Sequence, residues 1–419
     1  MASHATTLKL PGHSASDDNL PTIGENAPAR TRSVTTPAIA AALSLLISVG
    51  SGHRAAADFL DIDDAGDNTI KHIDFDTGQV STFGSMAANG LKAPAGIVID
   101  PAGDVLVSNQ NANTAKNGTI LRYSPAGDRL DAVVLANDKA APAAPRGMIL
   151  LNGFIYVADF SSETQSPAHK IPAPGRLLKY TTTGTLVGTF VPPAGVLPQG
   201  AQFHPRSVVT GPDGMLYISN FPNPEPGVPG LGGQVLRFDP GTGKFDPKPF
   251  ISSVGGPSCD PDTSPPCNPT NQLNRPEGLV FSPGPDFSIY ITSFIAEASD
   301  SDSDKIIAFQ GPQSFSPGAY IGRIDLGQGT PTTRAFAQAL LFGPDGALFV
   351  PISGGAPSFA GTVRKYDVSA GLPPPNPFVP FVPQGVLVSP QYLTFGKTDP
   401  ATLAYPGAGC LSGDPGCPQ

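Results

Sequence analysis

The sequence is poor in charge and in the residues that build long helices. Only 14% of its 419 residues are charged, and no stretch concentrates lysine and arginine. This argues against nucleic acid as a partner, because neutralising phosphates requires a positive surface. Glycine and proline, which interrupt helices, number 48 and 49, well above their average usage. Helical bundles and coiled coils are therefore excluded, and short strands joined by turns are expected.

Long hydrophobic runs are also scarce. The one apolar run of note, residues 37–50, has 14 residues, whereas a helix that crosses a bilayer needs about 20. It follows Arg30 and Arg32 and precedes the small residues 55–57, an order typical of a secretory signal. We predict a signal region over 1–57, cleaved after Ala57, and a secreted or periplasmic mature chain without a transmembrane segment. An uncleaved membrane anchor is the alternative.

Cysteine is rare as well. The four cysteines form two close pairs, Cys259 with Cys267 and Cys410 with Cys417. Export and the short spacing favour two local disulfides, which leave no thiol to act as a nucleophile. The spacing does not fit a zinc site, and no Gly-x-Ser-x-Gly element predicts a serine nucleophile.

What the sequence does contain is a repeat. Each unit starts with Pro-x-Gly, enters a β-branched strand, turns at a Pro/Asp/Gly corner, and continues into a second strand that ends in Asn, Asp or Ser. The cleanest copy spans 94–109, and further copies begin at Pro145, Pro205, Pro276 and, without the proline, Gln338. A third strand, such as 118–123, and an outer strand follow. Four antiparallel strands of this kind form one blade of a β-propeller.

The mature chain begins in the middle of a blade. Residues 59–62 have the pattern of a second strand, and the missing first strand is predicted at 383–390. Pairing the two ends of the chain closes the ring and removes the free sheet edge. With this composite blade the count is six, which gives a propeller over 58–396 and a C-terminal tail over 397–419.

The repeat and the stretch Ile62-Asp63-Asp64-Ala65-Gly66-Asp67-Asn68-Thr69-Ile70 resemble NHL repeats. More broadly, they resemble the six-bladed propellers of the SMP-30/gluconolactonase superfamily, over nearly all of the mature chain. The resemblance implies an all-β, six-bladed propeller. It implies no single activity, because such propellers include lactonases, phosphotriesterases, lyases and binding scaffolds.

Strand order predicts where the functional residues lie. The start of each first strand and the end of each second strand meet at the face where the central channel opens. The starts contribute Ala95, Arg146, Arg206, Glu277, Gln338 and Gln384, and the ends contribute Asp64, Asn109, Asp159, Asn220, Ser293 and Ser353. From the first set we predict ligand binding by Arg146, Arg206, Glu277, Gln338 and Gln384.

Oxygen atoms from several blades can hold a hard cation such as Ca²⁺, which takes six to eight oxygen ligands. The resemblance implies a central divalent metal, with Glu277, Asn109, Asp159 and Asn220 as its candidate ligands. Arg146 and Arg206 would repel such a cation. Two alternatives follow: the arginines and Glu277 form an ion network that plugs the channel, or the arginines bind an anionic ligand.

The connections from second to third strands, at 110–117, 160–174, 221–232, 294–304 and 354–360, are expected to form a loop-rich rim on the same face. We therefore predict an exported propeller that binds a small molecule, a carbohydrate or a protein at the channel mouth, with no reaction assigned. The alternative is a Ca²⁺-dependent lactonase or esterase, in which Glu277 and His204 are the catalytic candidates.

Overall fold

The computed structural model describes residues 59–85, 90–164, 173–221, 231–254, 273–284, 287–295, 303–327, 334–354, 361–374, 378–398 and 403. They belong to the second of two units of the chain, Arg54–Gln419. The predicted signal region and the four cysteines lie outside the described residues. No helix in the described part of the chain is long and apolar enough to cross a membrane.

The described residues form six antiparallel sheets arranged as a six-bladed propeller, which confirms the predicted fold. Each blade has an inner strand that lines the central channel. These are β25 (Pro390–Phe395), β4 (Pro94–Ile99), β8 (Pro145–Leu151), β12 (Pro205–Thr210), β17 (Arg275–Phe281) and β21 (Leu341–Phe342), in blades 1 to 6 respectively. The second strands are β1 (Phe59–Asp64), β5 (Val105–Asn109), β9 (Phe154–Asp159), β13 (Leu216–Asn220), β18 (Ile289–Phe294) and β22 (Leu348–Ile352).

The third and outer strands complete each blade. The third strands are β2 (Thr69–Asp74), β6 (Thr119–Tyr123), β10 (Arg176–Thr181), β14 (Leu231–Asp239), β19 (Lys305–Phe309) and β23 (Thr362–Tyr366). The outer strands are β3 (Val80–Ser85), β7 (Arg129–Val134), β11 (Leu186–Phe190), β15 (Lys244–Phe245) with β16 (Ile251–Val254), β20 (Tyr320–Asp325) and β24 (Val379–Val382). Strands such as β5 and β13 are buried along their whole length, because each blade packs between two neighbours.

The glycine of the Pro-x-Gly repeat is explained by close packing around the channel. A Cβ atom on Gly147 would lie 2.9 Å from the Cα of Ser207 in the next blade, and one on Gly278 would lie 2.5 Å from the Cα of Ala339. Real Cβ contacts are longer than this. A side chain at either position would therefore force neighbouring inner strands apart.

The ring closes as predicted, by pairing β1 with β25, but the closing strand is not the predicted one. It begins at Pro390, and residues 383–389 form a turn that is exposed at 383–386, where Gly385 has a φ of 83°, and buried at Leu387. Pro383-Gln384-Gly385 matches the repeat motif, which explains the wrong prediction. In the true strand, Tyr392 occupies the glycine position, and its hydroxyl donates a 3.0 Å hydrogen bond to the backbone oxygen of Arg206.

Candidate functional site at the channel mouth

The structure brings together four of the residues predicted at the starts of the inner strands. Arg206 Nε lies 3.5 Å from Glu277 Oε1, and Arg146 Nη1 donates a 3.4 Å hydrogen bond to Gln338 Oε1 across the channel. These residues come from blades 3, 4, 5 and 6. The mouth of the channel is therefore lined by side chains that are distant in the sequence and close in space.

Gln384 does not belong to this group. It lies in the exposed turn before β25, and Gln391, the second residue of β25, takes the position predicted for it. The prediction was wrong because it followed the first Pro-x-Gly match near the C-terminus. The correct match is Pro390-Gln391-Tyr392, which lacks the glycine of the motif.

The second-strand end residues bind backbone instead of meeting at the channel axis. Asp159 accepts hydrogen bonds from the N–H groups of Ala143 and Ala144 at 3.1 and 2.6 Å and from Arg176 Nε at 2.9 Å. Asn109 Oδ1 accepts the N–H of Lys92 at 2.6 Å. Each of these side chains fastens the loop that leads into the inner strand of its own blade.

Asn220 makes the same kind of side-chain to backbone hydrogen bond, in this case with His204. Asn220 Oδ1 accepts the backbone N–H of His204 at 2.7 Å. The ring of His204 is fully buried, with Nδ1 3.0 Å from the backbone oxygen of Phe160 and Nε2 3.0 Å from Gln202 Oε1. Burial lowers the pKa of His204 to about 4, so the imidazole is neutral at pH 7. Both of its ring nitrogens face protein oxygen atoms.

Aromatic rings separate the arginines at the mouth, a feature that the sequence analysis missed. The guanidinium carbon of Arg206 lies 4.0 Å from the ring centre of Phe160 and 4.3 Å from that of Phe221. Arg146 lies 5.6 Å from Phe160, and Arg275 lies 5.7 Å from Phe221. We call Arg146, Phe160, Arg206, Phe221 and Arg275 the arginine–phenylalanine ladder. Its sequence signal is a phenylalanine directly after Asp159 and Asn220, the last residues of two successive second strands.

Five of the eleven buried polar atoms that have no hydrogen-bond partner in the described residues belong to residues of the mouth. Within the described residues, five such atoms come from blades 1, 3, 4 and 5 and surround the opening: Asp63 Oδ2, Arg146 Nε, Arg206 Nε, Glu277 Oε2 and Gln391 Oε1. Asp63 is held by its other oxygen, which accepts the backbone N–H of Tyr392. A buried polar group left unpaired costs about 1–3 kcal/mol, so a ligand that pairs with these atoms would recover free energy.

Burial dominates the electrostatics of these groups. It raises the pKa of Glu277, while Arg206 and Arg146 oppose that rise. It raises the pKa of Asp63 well above the usual carboxyl range. Burial lowers the pKa of Arg206 to about 10, against the pull of Glu277, so the guanidinium keeps its charge at pH 7.

The donor set does not fit the calcium ion that the resemblance implied. Glu277 lies beside Arg206, and the oxygen atoms of Asn109, Asp159 and Asn220 that would serve as ligands accept backbone N–H groups. Among the described residues, no group of three or more His, Cys, Asp or Glu side chains is placed to hold a metal ion.

Comparisons with known proteins support the fold. No protein-family model matches the chain, and no curated protein matches its sequence. Among solved structures, the periplasmic gluconolactonase PpgL of Pseudomonas aeruginosa is 15% identical, with 81% of this chain and 98% of that chain covered at a TM-score of 0.50. A putative 6-phosphogluconolactonase from Bacteroides uniformis is 14% identical, covering 81% and 100%, with a TM-score of 0.48.

A gluconolactonase from Xanthomonas campestris is also similar, with 14% identity, coverage of 71% and 77%, and a TM-score of 0.42. The similarity to PpgL confirms the predicted resemblance to gluconolactonase propellers for the fold. At these identities the likeness extends to the fold alone. Much of the predicted loop rim, including residues 165–172, 222–230, 296–302 and 355–360, lies outside the described residues.

Proposed function

We propose that this protein is an exported propeller that binds a small, polyhydroxylated, sugar-derived ligand at the channel mouth. The observation that carries the proposal is the cluster of five buried polar atoms without partners in the described part of the chain. Two are guanidinium N–H donors, and three are carboxyl or amide oxygens. A hydroxyl group both donates and accepts. A ligand with several hydroxyl groups therefore complements this mixed set better than a purely apolar or purely anionic one.

The scaffold supports a preorganised site. Arg206 is 8% exposed and Glu277 1% exposed, and Arg206 is held between two phenylalanine rings. Little side-chain freedom remains to be lost when a ligand binds, which favours affinity. The fold similarity to a periplasmic gluconolactonase agrees with a sugar acid or its lactone as the ligand and with an exported location.

The test is isothermal titration of the full chain with gluconate, glucose and hexanoate, the last an acid without hydroxyl groups. We expect gluconate to bind and hexanoate not to bind. Gln391→Ala removes one of the unpartnered oxygens, so we expect the affinity for gluconate to fall about tenfold. Gln384→Ala is the matched control in the exposed turn and should bind as the wild type does. The absence of binding by every hydroxylated compound would overturn the proposal.

Lactone hydrolysis is a second candidate function, favoured by the position of Glu277. Its Oε2 has no hydrogen-bond partner among the described residues, and Arg206 lies 3.5 Å from its Oε1. A carboxylate with a raised pKa is a suitable general base. It would take a proton from water as the water oxygen attacks the lactone carbonyl carbon, while a guanidinium stabilises the negative charge on the carbonyl oxygen.

The ring C–O bond would then break, and Glu277 would return the proton to the departing alkoxide, leaving a free hydroxyl and a carboxylic acid. Acid release from gluconolactone, followed in a pH-stat with a chelator present, tests this step. We expect Glu277→Gln to reduce the rate to the uncatalysed background and Gln384→Ala to leave it unchanged. Acid release at the background rate by the wild type would remove hydrolysis and leave binding.

A further inference from the structure

The arginine–phenylalanine ladder is a row of three guanidinium groups on one side of the channel mouth. Its arginines come from three successive blades, with Arg146 on β8, Arg206 on β12 and Arg275 on β17. The opposite side of the mouth carries no matching arginine at these positions: blade 2 has Ala95, blade 6 has Gln338 and blade 1 has Gln391. Among the described residues, Arg146 and Arg206 therefore place their positive charge on one side of the mouth.

The rings fix the guanidinium groups without using their hydrogen-bonding edges. A cation over an aromatic face is held by the charge distribution of the ring, and the N–H groups point outward in the guanidinium plane. Arg206 lies within 4.3 Å of two ring centres, and its Nε has no hydrogen-bond partner among the described residues. Arg146 Nε is unpartnered in the same sense. Two buried guanidinium N–H donors therefore have no hydrogen-bond partner within the described part of the protein.

Among the described residues, the carboxyl groups near Arg146 and Arg206 balance only part of the charge of these two arginines. Glu277 is the carboxyl that acts on Arg206. Asp63 is fully buried, and burial favours its neutral form. Asp304 is already engaged, since Arg334 Nε donates to both of its oxygens at 2.9 and 3.0 Å. Among the described residues, Arg146 and Arg206 together carry more positive charge than Glu277 offsets, in a partly dehydrated place where an anion is attracted and a cation is repelled.

We infer that the ladder holds an anionic oxygen group of the ligand, either a carboxylate or a phosphate. This group takes the role at the mouth that the sequence resemblance assigned to a divalent cation. This inference rests on the proposed function for the identity of the rest of the ligand. Guanidinium groups recognise carboxylate and phosphate oxygens through paired N–H donors, so both are members of one ligand class. Binding then needs no divalent metal and weakens as salt screens the charge.

The experiment measures binding of gluconate, 6-phosphogluconate, glucose and inorganic phosphate to the full chain by calorimetry, with and without EDTA. We expect each sugar acid to bind at least tenfold more tightly than glucose, EDTA to have no effect, and affinity to fall between 50 and 300 mM NaCl. The two sugar acids separate the sources of the anionic group: tighter binding of gluconate points to a carboxylate, and tighter binding of 6-phosphogluconate to a phosphate.

Arg206→Gln and Arg146→Gln should each lower the affinity for the sugar acids at least tenfold more than they lower the affinity for glucose. Arg237→Gln is the matched control, because Arg237 also lies over two rings, those of Tyr217 and Phe250, on the third strand of blade 4. Arg146 is half-buried, so its variant remains informative if the buried Arg206 variant does not fold.

Three outcomes separate the inference from the proposed function. Equal affinities for glucose and gluconate, or binding that EDTA abolishes and Ca²⁺ restores, would overturn the inference and leave a sugar-binding site in place. Binding of inorganic phosphate that depends on Arg206 and Arg146, without any preference for sugars, would support the inference and overturn the proposed function. If no anion binds to the wild type, the inference is wrong.

Discussion

Asp64 Oδ1 accepts a 2.6 Å hydrogen bond from the backbone N–H of Ser389, which lies 325 residues later in the chain. The other oxygen, Oδ2, accepts the N–H of Val388 at 2.8 Å. One carboxylate on β1 thus fastens the turn that leads into β25. The same contact occurs within other blades, where Asp159 fastens residues 143 and 144, whereas at Asp64 it joins the two ends of the propeller, as the contact of Asp63 with Tyr392 also does.

We therefore expect Asp64→Ala to lower the free energy of unfolding by about 3 kcal/mol, because two hydrogen bonds to a charged group are lost at about 1.5 kcal/mol each. Urea unfolding followed by circular dichroism measures the change. Asp76→Ala, at an exposed turn position, is the control and should change stability by less than about 0.5 kcal/mol. Equal effects of the two substitutions would show that this contact does not stabilise the ring closure.

Gly278 tests the packing of the inner strands. An alanine Cβ there would lie 2.5 Å from the backbone of Ala339 in the next blade, so Gly278→Ala should destabilise the protein by about 3 kcal/mol through overpacking. Gly241→Ala is the control, since its nearest neighbour is the side-chain Oδ1 of Asp239 at 3.2 Å. Thermal unfolding of the two variants gives the comparison. A melting temperature of Gly278→Ala close to that of the wild type would mean that the inner strands tolerate a wider spacing.

His72 forms a hydrogen bond with a carboxyl group on the strand that closes the ring. Its Nδ1 lies 2.7 Å from Asp61 Oδ1 on β1, the strand that pairs with β25. The hydrogen bond to Asp61 raises the pKa of His72, and Asp61 and Asp74 add to that rise. Because the folded state raises this pKa, the stabilisation is full below the unfolded value of about 6.5 and is lost as pH rises through the folded value.

The difference in melting temperature between the wild type and His72→Gln should therefore be largest at pH 6 and shrink towards pH 8. Differential scanning calorimetry in a buffer series measures it. A difference that stays constant across this range would mean that His72 contributes through packing against Phe59 and Phe83 and not through its charge.

Asp159 distinguishes a backbone contact from a metal ligand. The two carboxylate oxygens of Asp159 accept three hydrogen bonds, and Asp159→Asn leaves only one oxygen to accept them. We therefore expect the free energy of unfolding to fall by about 2 kcal/mol. The loss should be the same in EDTA and in millimolar CaCl₂. A wild-type melting temperature that rises with CaCl₂, together with an Asp159→Asn variant that does not respond, would assign a metal to this residue.

The ring could be predicted from the sequence because the repeat is local. The Pro-x-Gly motif, the first strand, the corner and the second strand recur with the same spacing, although the connecting loops differ in length. The sequence also predicted Arg146, Arg206, Glu277 and Gln338 at one face, since each occupies the same position in its repeat. The closing strand was predicted in the wrong place because Pro383-Gln384-Gly385 satisfies the motif in a turn. Nothing in the sequence indicates that Tyr392 occupies the position that glycine takes in the Pro-x-Gly motif.

The chemistry of the mouth was less accessible to sequence analysis. An Asn or Asp at a strand end has the same pattern whether its oxygen faces a channel or a backbone N–H, and only the geometry of Asp159 and Asn109 decides between them. Phe160 and Phe221 have the pattern of core residues, and both are indeed buried. Their contact with arginines from neighbouring blades depends on how the blades stack, which no single repeat encodes.

The pairing of β1 with β25 also sets the order of events during synthesis. A ribosome makes the first strand of this pair more than 300 residues before the second. Domains fold as their residues emerge, yet β1, β2 and β3 must wait for β25 with one edge uncovered while five further blades are translated. The ring of the nascent protein therefore stays open until β25 has left the exit tunnel.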